Sequence, residues 1–432
     1  MATIYYHDIG DYLSREQKLK MVHDFRSVKG MEWTEIVPNE KRDWINVRDG
    51  VFDGLVPIFP EKKFDAKAKS FFTIGSSGLT TGRDAFCVNF SKWSLSNRVK
   101  DMVDFFNQQT DSANPDIDTK RISWSRGLKN LLLRHSSLSY QAESIVIGHY
   151  RPFCKQFVYY NRGLNEYMYS MPNLYPINKE GLSICVSSAG STKGLGILLS
   201  AFLPDIHVSG DSQCFPLYYY EENPHKQKTL FDDTPDDDYI RHDGITDWIL
   251  KEVRNRYHGA KNITKEMIFY YVYGLLHSKD YRERFAADLK KSLPRIPIVE
   301  RIEDFMAFYK AGKQLAELHL NYEEVPPHPE VVVHITTKRA GQDDYDYFRV
   351  DPKMKFRSKD DKSVILYNAN IRLENIPLKA YDYIVNGKSA IEWIVERYCV
   401  SIDKKSLIKN DANDWAREHG KPRYILDLLL SV

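Results

Sequence analysis

The sequence predicts an α+β protein: a mixed α/β core, a helical segment, and a C-terminal antiparallel β unit closed by helices. Three observations carry that expectation. Before residue 246, short β-branched and aromatic runs alternate with segments whose apolar residues recur three and four apart. From Thr246 to about Leu320 the pattern turns helical. After Pro326, Pro327 and Pro329, which stop helices and stiffen the connection, strand-like segments return. The expected division is a connector over 1–65, a mixed core with its helical segment over 66–325, and a β-rich unit with C-terminal helices over 326–432.

Taken in order, Ile4 to His7 reads as a strand, and Ser14-Arg15-Glu16-Gln17 has capping-box spacing ahead of apolar Leu19, Val22 and Phe25. Strands are expected near Phe71–Ile74 and Ala85–Phe90, then helices near Asn97–Gln108 and Ser125–Arg134. Further strands fall at Ser144–Gly148, Gln156–Tyr160, Ser183–Ser187 and Phe215–Tyr220. Met267 to Leu276 is the most apolar stretch, flanked by Lys265, Glu266 and Asp280-Tyr281-Arg282-Glu283-Arg284, and reads as a helix buried on all sides. Beyond the prolines, Val331–Thr337, Tyr345–Val350, Met354–Arg357 and Val364–Leu373 read as strands, with a hairpin around Gly341, and two helices close the chain.

A chain of 432 residues exceeds the size of one usual core, so more than one structural unit is expected. It has no run of about 18 uncharged apolar residues and no signal-peptide pattern, which excludes a classical span or leader and points to the cytosol. Five scattered cysteines without a C-x-x-C pair argue against a disulfide framework or structural zinc, and no metal or cofactor is expected. Net charge is only +2, but it is segregated. Lys120, Arg121, Arg126, Lys129 and Arg134 lie in a stretch with Trp124 and no acid, whereas Asp232 to Asp247 is acidic, with Asp232, Asp233, Asp236, Asp237 and Asp238 almost consecutive, and reads as a solvated loop.

Three segments invite a chemical reading. Gly75 to Phe86 sets glycines beside Thr80, Thr81 and Arg83, whose hydroxyls and guanidinium fork suit a phosphate or a base edge. An ordinary Gly-Ser turn has the same composition. Lys353-Met354-Lys355-Phe356-Arg357-Ser358-Lys359 alternates with the strand period, so its cations share one face about 7 Å apart, while Met354 and Phe356 turn inward. That spacing fits successive phosphates and equally an edge strand guarded by lysines. Ser188 to Gly196 only imitates a phosphate loop, since Lys193 precedes Gly194 and Leu195 instead of a serine or threonine opening a helix.

Enzymatic signatures are missing. Asn114-Pro115-Asp116 and Asn223-Pro224-His225 lack the second proline of an amino-methyltransferase, Glu61-Lys62-Lys63 lacks the upstream Pro-Asp of a metal nuclease, and the histidines show no ligand spacing.

Rarer strings are more informative. Tyr150-Arg151-Pro152-Phe153-Cys154-Lys155, Gln213 to Tyr220, Tyr271 to Phe285 and Asn386 to Trp393 together resemble, in order and over nearly the whole chain, the C-terminal specificity domain of type ISP restriction-modification enzymes. In that family one polypeptide carries a nuclease, a helicase-like ATPase, an N6-adenine methyltransferase and, last, a target-recognition region. The resemblance implies that this chain reads duplex DNA, that it docks the methyltransferase, helicase and nuclease segments, and that it has no catalysis of its own. Residues 1 to about 60 then look like the methyltransferase tail, and the chain like a fragment or split product. The sequence departs from the family at Leu407 and Ala412, which stand in place of the usual glycine and proline.

The contacts expected with DNA are Thr80, Thr81, Arg83, Lys120, Arg121, Arg126, Lys129, Arg151, Lys155, Lys193, Lys353, Lys355 and Arg357. Two rival readings stand beside this one: a remote methyltransferase or nuclease, and a protein-interaction subunit whose N-terminal strand pairs with a partner sheet.

Overall fold

A computed structural model describes residues 3–10, 13–45, 47–60, 69–116, 118–224 and 238–432. The acidic run Asp232–Asp237, His225 and the Glu61-Lys62-Lys63 tripeptide lie outside them.

Two hydrophobic cores share one sheet. Its strands Ser76–Ser77, Gln213–Pro216, Ser183–Val186 and Ile197–Ser200 are all antiparallel and hydrogen-bond in that order. Alternate residues of a strand point to opposite faces. Cys185, Leu198 and Cys214 accordingly join one core, while Ile184, Val186, Ile197, Leu199 and Phe215 join the other. This explains why the segments read as unbroken apolar runs: both faces are covered.

The first core gathers the helix Lys92–Gln109, whose Ser91 side chain caps Ser94 N, and a second sheet ordered Leu203–Pro204, Ile145–Arg151, Cys154–Tyr159 and Val88–Asn89. It also draws in Ile365, Trp393, Trp415 and Leu426 from the C-terminal third. There a third, antiparallel sheet runs Val332–Ile335, Ile371–Glu374, Ile365–Leu366, Lys355–Phe356. Helices Ala390–Arg397, Ala412–Glu418 and Tyr424–Ser431 follow it, one more than expected.

The second core holds the helices Asp247–Arg256, Lys265–Leu276 and Ile302–Leu320. The last two cross where Gly274 faces Gly312; a Cβ on Gly274 would lie 2.3 Å from Phe308 O, and one on Gly312 2.0 Å from Tyr270 O. Glycine at both positions is what lets these helices touch backbone to backbone.

Several expectations are corrected. Ala85–Phe90 is no single strand: Asp84–Cys87 forms a helical turn, with Phe86 N and Cys87 N donating to Arg83 O, before the two-residue strand Val88–Asn89. Phe71–Ile74 is no strand either, although Phe72 makes an isolated bridge to Ile245. Phe215–Tyr220 divides between two sheets, Tyr218–Glu222 pairing with Tyr239–Asp243, so the acidic stretch to Asp247 is not all loop: its second half is drawn into a strand by that partner. Gly341 does not turn a hairpin, because Asp343 Oδ1 accepts from Tyr345 N and Asp346 N and starts the helix Asp344–Tyr347 where a strand was expected.

At the N-terminus, the strand Ile4–Tyr6 pairs with Thr34–Ile36, and the Ser14–Gln17 capping box opens the helix Arg15–Asp24 as expected. That helix buries nothing: Leu19 and Val22 are each 58% exposed. Among the described residues no helix is long and apolar enough to cross a membrane.

Candidate nucleic-acid interface

The Gly75–Arg83 segment is a seam between elements. Leu79 N donates to Pro204 O and Ile206 N to Leu79 O, while Thr80 and Tyr167 exchange two 3.0 Å backbone bonds. Gly78 has no room for a side chain, since a Cβ would sit 2.6 Å from Asp205 O, and Gly82 needs its φ of +68°. Thr80 is half-buried, and Thr81 is buried with its hydroxyl bonded to Asp84.

Arg83 is buried too, and each of its guanidinium nitrogens is engaged internally. Nε donates to Ser123 O, Nη1 to Thr81 O and Leu164 O, and Nη2 to Ser125 Oγ and Glu166 Oε2. A base-reading role is not what this geometry offers; the fork ties the loop to the start of the basic helix Arg126–Leu133, which Ser125 caps. Arg151 is used in the same way, pairing with Asp205 at 2.5 Å and Asp84 at 3.3 Å and lying 3.9 Å from the Tyr150 ring centre. Burial raises the Asp205 carboxyl, and Arg151 opposes that shift. Lys155 pairs with Glu323 at 2.8 Å under the rings of Phe202 and Tyr322. These cations hold the scaffold together.

The others face solvent. Lys120, Arg121, Arg126 and Lys129 are exposed around the basic helix, with Arg121 stacked on Phe105 at 4.3 Å. Lys193 is exposed on the turn between Val186 and Ile197, its stem against Gly387. Lys353, Lys355 and Arg357 are exposed while Met354 is buried and Phe356 half-buried, the alternation expected of that strand. Arg357 is tethered to Asp361 at 3.2 Å and Glu374 at 3.6 Å. Among the described residues, Lys120, Arg126, Lys129, Lys353 and Lys355 have no ion-pair partner.

A groove of about 540 Å³ runs beside the basic segment, with Arg83 to Phe86 along its floor. Thr119, Ser123, Trp124 and Lys129 from the basic segment line it as well, together with Asp403, Lys405 and Ser406. The last three lie in the loop of the hairpin Val400–Ile402/Lys409–Asp411, which brings Lys405, with exposed Lys404 and Lys409 on the same hairpin, into a groove that Lys129, some 280 positions earlier in the chain, also lines. Sequence reading missed these lysines; the adjacent pair Lys404-Lys405 was the available signal, but nothing local tells that it meets Lys129.

Thiol chemistry has no foothold in the core. Burial pushes the Cys87 and Cys154 thiols up to about 12. Among the described residues no three His, Cys, Asp or Glu side chains converge as a metal site.

The α+β scaffold thus locks its inner cations into ion pairs and leaves several of its exposed ones without a partner among the described residues, an arrangement that suits a binding surface. The chain belongs to the family of Type ISP C-terminal specificity domains, whose pattern matches residues 70–428. Three solved structures are similar over 99% of this chain. The ATP-dependent Type ISP restriction-modification enzyme LlaBIII bound to DNA has 36% identity and a TM-score of 0.84. A nuclease-deletion mutant of the Type ISP enzyme LlaGI, in complex with a DNA substrate mimic, has 36% identity and a TM-score of 0.81. A DrdV–DNA complex has 25% identity and a TM-score of 0.80. This chain spans 27%, 32% and 42% of those chains, respectively. A search of curated proteins by sequence found no match.

Proposed function

We propose that this chain recognises a target sequence in duplex DNA, as the specificity part of a restriction-modification system whose methyltransferase, helicase and nuclease segments do the chemistry. The observation that carries this reading is the groove lined by Lys129 and Lys405, two cations without an ion-pair partner among the described residues, in a chain whose similar solved structures are DNA complexes. Phosphate contacts from Lys120, Arg126, Lys129, Lys353 and Lys355 position the duplex, and groove side chains select the sequence. Thr81, Arg83, Arg151 and Lys155 serve as scaffold beneath them.

The partner surface lies elsewhere. Leu19, Val22, Val28, Val37 and Trp44 are exposed in the N-terminal segment, an apolar concentration that suits docking against parts such as those of the longer relatives outside the matched region. Five free cysteines, four of them buried, fit the reducing cytosol where such a system meets its DNA.

Fluorescence anisotropy of a labelled duplex titrated with the chain over a range of salt tests the reading. The expected result is a log affinity that falls linearly with log salt. Failure to bind any duplex, with tight binding to a methyltransferase segment, would favour the protein-interaction alternative.

A further inference from the structure

The hairpin Val400–Asp411 carries a feature that phosphate docking does not use. At its tip Leu407 is 58% exposed and held at φ +58°, a backbone region that leucine rarely adopts. The turn around it is fixed. The Asp403 carboxylate accepts from Lys405 N, Ser406 N and Ser406 Oγ, while Leu407 N donates to Asp403 O and Asp403 N to Ile408 O. Those donors hold the Asp403 carboxyl below its usual range. Ser406 and Ile408 are buried, so the two neighbours point inward and Leu407 points out.

The root of the hairpin is equally constrained. Val400 N donates to Pro352 O, Asn89 Nδ2 to Lys409 O, Phe90 N to Asn410 Oδ1, and Asn410 Nδ2 to Gln156 Oε1. A mobile surface loop does not have such anchors. Here a rigid element presents two solvent-facing aliphatic side chains, Ile402 on its first strand at 61% exposure and Leu407 at its tip, of which Leu407 alone sits at positive φ, and Leu407 follows Lys404 and Lys405, which have no ion-pair partner among the described residues. Apolar side chains that enter DNA do so in this company, with cations on the phosphates to either side and a stiff support behind.

We propose that Leu407 is an apolar wedge that contacts base faces in bound duplex, while Lys404 and Lys405 hold the flanking phosphates. This deepens the DNA-recognition reading and rests on it. The hairpin, whose Lys405 and Ser406 line the groove, thereby adds a specificity-determining side chain next to them, one that reads the ease of unstacking a base step.

The test uses the full chain and the variants Leu407→Gly and Lys404→Ala/Lys405→Ala. Glycine accepts a positive φ without strain, so Leu407→Gly keeps the fold and its stability reports that directly. Duplex sequences are first selected from a random pool with the unaltered chain, then synthesised with 2-aminopurine at successive positions. The expected result is a position where 2-aminopurine fluorescence rises on binding the unaltered chain and does not rise with Leu407→Gly, together with affinity for the selected duplex lower by about tenfold. The double lysine variant should weaken binding to selected and scrambled duplexes alike, with a shallower salt slope. Leu407→Gly binding the selected duplex as tightly as the unaltered chain, with the same fluorescence, overturns the wedge while leaving the broader reading intact. If the unaltered chain binds no duplex, the reading and the wedge fall together. Loss of binding to a methyltransferase segment by Leu407→Gly, with duplex binding unchanged, reassigns the tip to a protein contact.

Discussion

Arg83 Nη2 lies 3.4 Å from Glu166 Oε2, and the Arg83 side chain is only 1% exposed. A guanidinium so placed cannot leave for a base edge without abandoning a largely buried carboxylate and three carbonyl acceptors. Removing one partner of a buried pair costs roughly 3–5 kcal/mol. Arg83→Ala should therefore lower the urea midpoint strongly and reduce the folded yield. Normal stability with altered site choice would return Arg83 to the DNA surface.

Gly274→Ala pits two effects against each other. Alanine is favoured over glycine in a helix by about 1 kcal/mol. Against this stands a methyl 2.3 Å from Phe308 O, which the crossing helix accommodates only by moving away, at roughly 1–3 kcal/mol or more. Net destabilisation in a thermal melt is expected, and a stabilised variant would show that the crossing is looser than described.

Three histidines set an acid limit. Burial lowers the imidazole pKa of His149 to about 3, of His277 to about 4 and of His319 to about 3, against roughly 6.5 when unfolded. Unfolding below pH 6.5 thus takes up protons. Stability from these groups is full above about pH 6.5 and falls as the pH drops toward 4. His319 Nδ1 lies 2.5 Å from Tyr273 Oη, and His277 Nε2 is 3.1 Å from Tyr383 Oη, inside the helix packing. Melts between pH 7 and pH 5 should lose stability with a slope that becomes shallower in His319→Phe. An unchanged slope would mean that His319 is solvated.

The two cations of the outer strand should behave differently. Lys355→Ala removes a free charge, so the salt slope for duplex binding should flatten by about one unit. Arg357→Ala should flatten it less, because Asp361 and Glu374 already hold that guanidinium. Equal effects would show that the tethers release on binding.

Much of the fold was legible because it follows local rules. Ser14 and Gln17 form the expected capping box, Ser125 caps the basic helix, and the Lys353–Arg357 alternation places Met354 inside. Where the element type failed, a local cap or turn overrode a strand-like composition. Asp343 turned a strand-like segment into a helix by capping it, and residues 85–87 curl because Arg83 O accepts from Phe86 N and Cys87 N. At the candidate site the sequence reveals which residues are cationic, but not which have acids waiting. Arg83, Arg151 and Lys155 read as well as Lys129 did, yet Glu166, Asp205 and Glu323 neutralise them from elsewhere in the chain. The hairpin lysines became visible only once folding set Lys405 in the groove that Lys129 also lines.

Selection from a random-sequence duplex pool, run with the unaltered chain and with Lys129→Ala/Lys405→Ala, measures the central claim most directly. One enriched sequence motif is expected with the unaltered chain, and the double variant should retain far less duplex. Duplex retained without any enriched motif, or retained equally by both proteins, would contradict the assignment of this groove as the target-reading surface.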